Sequence, residues 1–324
     1  MAVVAVTGAT GFIGRHVVPL LLDRGCSVRA LVRSGSECRL PAEVCVVPGE
    51  VTEIASVEQA LRGAEIVIHL AGVAHTTLSG EADRNRTRAV NVGGARNVLQ
   101  ASSRVGVRRV VIGSSAHVYE GQSGVGVLED APQAAENVYA ETKIEVEKLA
   151  REYGERGLEV VVGRPCLTYG PDVRFNLYKL MQAIDRGIYF HAGSRKVERS
   201  FASVYSAAAA FVHLGEKGKP GEAYNIADRE PMLLEEFTND LADRMQRPHP
   251  RRIPYAMLWS GAAGFSAAGK LGIKGPLTLD SLRKLTESFS LNTDKLAATG
   301  FLWPDDGERA REDMVKAYLA GKSR

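Results

Sequence analysis

The sequence predicts an α/β protein whose main body is a doubly wound parallel sheet, with a smaller C-terminal lobe interleaved with it. Three observations predict this. In the first half, short apolar runs alternate with amphipathic ones at a spacing of about thirty residues per unit. The opening run, Val3-Val4-Ala5-Val6, has no polar face, as expected of a strand at the centre of a sheet covered on both sides. Glycines follow it at once, at positions 8, 11 and 14.

The elements follow in order. Val3–Thr7 is read as the first strand, and Phe12–Arg24 as the first helix, closed by Gly25. Pro19 lies inside that helix, where it costs roughly 3 kcal/mol and should kink it. Ser27–Val32 and Val44–Val47 are the next strands, Val57–Arg62 a short helix, and Ile66–Leu70 the fourth strand. Asn91–Ser103 is a helix with Val92, Ala95, Val98 and Leu99 on one side, followed by a strand at Arg108–Gly113. Tyr139–Gly154 is a long helix and Leu158–Gly163 the sixth strand. Beyond Arg164 the pattern loosens. Asn176–Arg186, Glu235–Met245 and Gly307–Leu319 read as helices, and Ala223–Ile226 as a returning strand. With no low-complexity linker, the expected division is residues 1–165, with a returning strand near 222–227, and a lobe made mainly of 166–324.

Forty-one basic and 38 acidic side chains give a net charge of +3, which argues against a nucleic-acid or anionic-membrane partner. Arg84, Arg86 and Arg88 are spread around a helix by their period of two and read as a solvated face. Cys26, Cys38, Cys45 and Cys166 form no CxxC pair and lack histidines at metal-ligand spacing, so no metal is expected and a reducing cytoplasm suits them. No leader pattern precedes the first strand. Ile253 to Gly269 carries no charge, but Pro254 and three glycines interrupt it; a helix packed on the C-terminal lobe is the expectation, ahead of a membrane contact.

The glycines sit between a strand and a helix. Gly8 permits a tight turn, Gly11 lets backbone approach a pyrophosphate, and Gly14 allows the helix to pack closely on the strand. Phe12 and Ile13 lie in the same turn, and the helix N-terminus offers free N–H groups to phosphates. A nicotinamide dinucleotide is therefore expected. The second strand ends Val32-Arg33-Ser34, without the carboxylate that would bind a ribose diol. Arg33 and Ser34, with help from Arg15, suit the extra phosphate of NADP(H). Arg33 stacked on adenine would leave NAD(H) open.

Lys143 is the first lysine of the chain, after thirteen arginines, and it stands four residues after Tyr139. On a helix the two share one face. A free tyrosine, with a pKa near 10, is a poor base at neutral pH. A neighbouring ammonium favours the phenolate and brings it toward use as an acid/base. Ser115, at the carboxyl end of the fifth strand, would hold the oxygen that alternates between alcohol and ketone. Ten tyrosines and twelve lysines also yield Tyr318 and Lys322 at the same spacing, but no serine-ended strand precedes that pair. The Tyr139 pair is set apart by its context.

These residues resemble the extended short-chain dehydrogenase/reductase family, the NAD(P)-dependent epimerases, dehydratases and reductases of nucleotide sugars, and the resemblance covers nearly the whole chain. Thr7-Gly8-Ala9-Thr10-Gly11-Phe12-Ile13-Gly14 is similar to its TGxxGxxG loop, and His69-Leu70-Ala71-Gly72 to its HLA motif, which places Leu70, Ala71 and Gly72 against the cofactor. Asn91 opens a helix like its NVxGTxNVL run. Ser114-Ser115-Ala116-His117-Val118-Tyr119 resembles SSxxVY, and Arg164-Pro165 with Tyr169-Gly170-Pro171 resembles RPxxxYGP. The resemblance implies a Rossmann-type fold, Ser115, Tyr139 and Lys143 in catalysis, and further cofactor contacts from Glu50, Val51, Asn91, Ser114 and Pro165. It also implies substrate contacts from Asn176, Leu177 and Arg199, and a homodimer through helices 91–103 and 139–154. Glu50 stands where an aspartate is usual, and Ser206 where an aspartate follows the Arg199-Ser200-Phe201 segment. His75 and His117 face the sugar or serve packing.

Dehydratases carry an Asp-Glu pair after the catalytic hydroxyl; Ala116-His117 here argues against water loss. Arg33 leans toward a reductase that exchanges its cofactor. The expected function is thus a nucleotide-sugar 4-keto reductase using NADP(H). A 4-epimerase with tightly bound NAD is the alternative. A carbonyl reductase with an apolar pocket, or a non-catalytic cofactor-binding regulator, comes after both.

Overall fold

The computed structural model describes residues 2–35, 39–74, 80–119, 124–269 and 279–322. The first half builds β1 (Val3–Thr7), α1 (Gly14–Asp23), β2 (Ser27–Val32), β3 (Cys45–Pro48), α2 (Ile54–Leu61), β4 (Ile66–His69), α3 (Glu81–Arg88), α4 (Gly94–Val105) and β5 (Arg109–Gly113). A short strand, β6 (Gly124–Val127), precedes the long α5 (Val138–Glu155), and β7 (Glu159–Pro165) and β8 (Leu167–Tyr169) follow it. The second half adds α6 (Asn176–Asp185), β9 (Phe190–Ala192), β10 (Glu198–Arg199), β11 (Phe201–Ser203), α7 (Val204–Lys217), β12 (Ala223–Ile226), β13 (Met232–Leu233), α8 (Leu234–Arg244) and β14 (Arg251–Ile253). It closes with α9 (Tyr255–Gly269), α10 (Leu279–Thr286), β15 (Phe289–Leu291), α11 (Asp294–Ala297) and α12 (Gly307–Lys322).

The central sheet runs β12-β7-β5-β4-β1-β2-β3, and every pair in it is parallel. Strand order reverses between β1 and β4, so the crevice at their carboxyl ends is where a ligand of a doubly wound sheet binds. Side chains alternate across the sheet. Val4 and Val6 pack with Val17, Leu21 and Phe211 on one side. Ala5 and Val67 pack with Leu61, Leu99 and Leu149 on the other. A third core joins Tyr169, Phe201, Phe237, Met181 and Met314 in the C-terminal lobe.

Several expectations are corrected. The first helix begins at Gly14, because residues 8–13 form the turn before it. It runs through Pro19, which lies on the solvent side, where water can take the carbonyl that proline leaves unpaired. The helix expected at Asn91–Ser103 begins as an α-helix only at Gly94, because residues 91–93 belong to a π-helical turn, Ala89–Gly93, that continues from α3. α7 went unread because nine of its residues are buried and its Ala-rich sequence has no polar face to set a period. The uncharged run forms α9, which packs through Leu258 and Ala262 on Leu282 of α10. No helix among the described residues is long and apolar enough to cross a membrane.

Candidate active site

β1 delivers the chain to Gly8, whose φ of +74° a side chain rarely adopts. A Cβ there would also lie 2.6 Å from the Ala71 nitrogen and from the Leu70 carbonyl carbon. The Gly11 N–H donates to the Gly8 carbonyl at 2.9 Å. A Cβ on Gly14 would overlap that same carbonyl oxygen. The turn is therefore closed on itself and pressed against the exit of β4. α1 starts behind it with no side-chain cap and no acidic residue in its first turn. Its leading N–H groups and positive dipole end suit a pyrophosphate, so the residues fit a dinucleotide. Phe12 and Ile13 pack inward, toward the C-terminal core and the sheet respectively.

The other expected cofactor residues line the same edge. Arg33 and Ser34 are exposed just beyond β2. Glu50 and Val51 follow β3; Val51 is held by Asn97, whose amide donates to its carbonyl at 2.9 Å. Leu70, Ala71 and Gly72 leave β4 beside Gly8, and Pro165 ends β7. Arg15 does not point to the second strand: its guanidinium donates to Asp172 at 2.8 Å and to the Gly11 carbonyl at 3.2 Å. Asn91 sits in the π-helical turn, and its amide clamps the strand exit. Its Oδ1 accepts from the Val73 N–H at 2.8 Å, and its Nδ2 donates to Thr142 Oγ1 at 2.9 Å. Beneath Ala71, Thr7 and His69 share a buried hydrogen bond of 2.6 Å. Burial and the Lys143 ammonium lower the His69 pKa to about 3, so its ring is neutral.

α5 carries Tyr139 and Lys143. Asn137 caps it, accepting from the Ala140 N–H at 3.0 Å. Tyr139, in the first turn, and Lys143, one turn later, lie on the same face, with the ammonium 5.8 Å from the tyrosine ring centroid. Lys143 is buried and donates to the Gly113 carbonyl at 2.6 Å. A Cβ on Gly72 would come within 3.7 Å of its Nζ, which places the ammonium at the β4 exit. Burial lowers the Lys143 pKa to about 8, and Glu147 opposes the shift. Ser115 starts the turn Ala116–Val118, its Oγ accepting from the His117 N–H at 3.3 Å. The His117 ring lies edge-on to Tyr139, with centroids 5.7 Å apart.

The structure thus gathers Gly72, Asn91, Gly113, Ser115, His117, Tyr139 and Lys143 at the carboxyl ends of β4 and β5. Asn176 opens α6 and Arg199 ends β10. Asn176 is exposed at the start of α6. Arg199 is half-buried, its charge facing Glu287 and Tyr189, and burial lowers its pKa. Leu177 is a correction: only 1% exposed, its side chain is core beside Val173 and Met181 and is not open to a substrate. His75 and Cys38 fall outside the described residues. The sequence reading missed Glu147, which stands one turn after Lys143 and pairs with buried Arg164. The four-residue spacing from Lys143 was the available signal.

An ammonium that aids Tyr139 is useful only while charged. With the Lys143 pKa lowered to about 8, kcat/KM is expected to fall as pH rises through that value. A flat pH–rate profile from 7 to 10 would contradict it.

The sequence profile of the NAD dependent epimerase/dehydratase family matches residues 4–227. The 3 beta-hydroxysteroid dehydrogenase/Delta 5→4-isomerase of Mycobacterium tuberculosis is 31% identical over 263 residues, covering 76% of this chain and 70% of that protein. The UDP-glucose 4-epimerase of Vibrio cholerae is 29% identical over 258 residues, 76% of each chain. In fold, the UDP-N-acetylglucosamine 4-epimerase of Methanobrevibacter ruminantium M1, solved with UDP-N-acetylmuramic acid, superposes with a TM-score of 0.77 at 20% identity over 99% of both chains. With the profile spanning more than half of its length, this chain belongs to the NAD dependent epimerase/dehydratase family.

Proposed function

We propose that the chain is a ketone reductase that prefers NADP(H) and acts on a nucleotide sugar. The observation that carries the chemistry is the buried Lys143 ammonium, held on the Gly113 carbonyl beside Tyr139. The nicotinamide, when bound, supplies hydride to the carbonyl carbon. The Tyr139 hydroxyl gives its proton to the carbonyl oxygen, Ser115 donates a hydrogen bond to the same oxygen, and Lys143 stabilises the phenolate left behind. Ala116 and His117 supply no second carboxylate for water loss. Arg199, a half-buried guanidinium on β10, is the cation this reading assigns to an anionic group on the substrate. Arg33 at the end of β2, where no carboxylate stands, supports NADP(H). Two copies paired through α4 and α5 complete the proposal.

A second reading is favoured by the steroid dehydrogenase at 31% identity: the same hydride transfer on an apolar cyclic alcohol or ketone. Denaturing fresh protein and identifying the nucleotide released comes first; near-stoichiometric NAD would point instead to an epimerase. Turnover of 4-keto-sugar nucleotides with NADPH supports the first reading, and turnover of steroid ketones alone replaces it with the second. Arg33→Ala is expected to raise the KM for NADPH about tenfold and leave that for NADH unchanged, because only the former has a phosphate to lose a charge-assisted hydrogen bond of about 1.5–3 kcal/mol. Equal effects on both cofactors would remove Arg33 from the argument.

A further inference from the structure

The carboxylate of Glu147 is 5% exposed and collects four hydrogen bonds. Arg164 donates to it twice, from Nε at 2.9 Å and from Nη2 at 2.6 Å, tying α5 to β7. Gln133 donates to one oxygen, and the Ser114 hydroxyl donates to the other. Ser114 lies between Gly113, whose carbonyl takes the Lys143 ammonium, and Ser115. One carboxylate therefore grips the strand exit that carries both groups, from a position one helical turn beyond the lysine. A buried ion costs more than its own hydrogen bonds return unless opposite charge is near.

We propose that Glu147 is a positioning residue of the hydride-transfer reaction, locking the Gly113–Ser115 exit of β5 to α5 and supplying the negative charge beside which the Lys143 ammonium is buried. The inference rests on the reading of Tyr139, Lys143 and Ser115 as the reacting groups. The charge acts in the stated direction: Glu147 raises the Lys143 pKa against burial. Among the described residues, Tyr139 on its own helix and His69 from β4, which is neutral, also face Lys143. Arg164, across Glu147, is held charged by that carboxylate and by Tyr119. Removing the Glu147 charge leaves Arg164 unbalanced and pushes the Lys143 titration the same way, to lower pH.

The test is Glu147→Gln, near-isosteric and uncharged, in protein labelled with 13C-lysine. The Lys143 Cε resonance, assigned by its loss in Lys143→Met, reports the titration without turnover. In the wild type it should titrate near pH 8. In Glu147→Gln its midpoint is expected at lower pH, by about tenfold or more in proton concentration. The alkaline limb of kcat should move with it while the substrate KM stays. An unmoved midpoint in folded protein overturns the inference. A midpoint that moves without the kcat limb upholds the role of Glu147 toward Lys143 and sinks the use of Lys143 in the reaction. If Glu147→Gln does not fold, Ser114→Ala decides, since it removes one hydrogen bond and keeps the charge. Its kcat should fall at least about tenfold as Ser115 loses alignment, with the Lys143 midpoint unmoved; unchanged kcat overturns the inference.

Discussion

Tyr139→Phe is expected to lower kcat by about 10²–10⁴-fold while leaving NAD(P)H affinity within about twofold. The substitution removes one oxygen and nothing else. The ring would keep its edge contact with His117, and the Lys143 ammonium would keep its bond to the Gly113 carbonyl. The glycine turn and the β4 exit lie on other elements and have no reason to move. Stopped-flow binding of NADPH beside steady-state turnover separates the two effects. Loss of binding together with turnover would show a ring that holds the fold rather than a hydroxyl that moves a proton. Retained turnover would assign the acid/base elsewhere, with His117 the neighbouring group to examine next.

Gly8→Ala should act on the other half of the site and on stability at once. A side chain at φ +74° costs about 1–2 kcal/mol. The added carbon would also be driven into the Ala71 nitrogen and the Leu70 carbonyl carbon, both backbone atoms, so one strand exit must shift. A Tm lower by about 4 °C or more is expected by calorimetry. NADPH should bind at least about tenfold more weakly, because the same shift displaces the N–H groups at the start of α1. Wild-type affinity with a lowered Tm would mean that the turn is structural only and that the pyrophosphate lies elsewhere.

The two halves of the chain were unequally legible. Val3–Thr7 and Ser27–Val32 were read to the residue, because buried central strands are dominated by apolar side chains and Gly8 and Gly25 mark where the first ends and just before the second begins. The second lobe holds strands of two to four residues, too short for a period of two to register. α7 hid because it is buried on nearly every side. The π-helical turn at Ala89–Gly93 leaves no mark in hydrophobic spacing, yet it sets Asn91 against Val73 and Thr142.

Gly8, Gly11, Gly14, Ser115, Tyr139 and Lys143 were named from sequence because local rules dictate them: a tight turn admits only glycine, and a helix places i and i+4 on one face. Their order along the chain also determined the family and the chemistry expected of it. Burial and long-range contact decided the rest. Only the folded sheet turns Leu177 into core, brings Arg15 to Asp172, and sets Arg164 and Ser114 around the Glu147 carboxylate. Those partners lie 17 to 157 residues apart, and no local pattern encodes them. The buried environment that lowers the Lys143 pKa to about 8 exists only once the strands close over it, because the cost of burying charge belongs to the surroundings and not to the side chain.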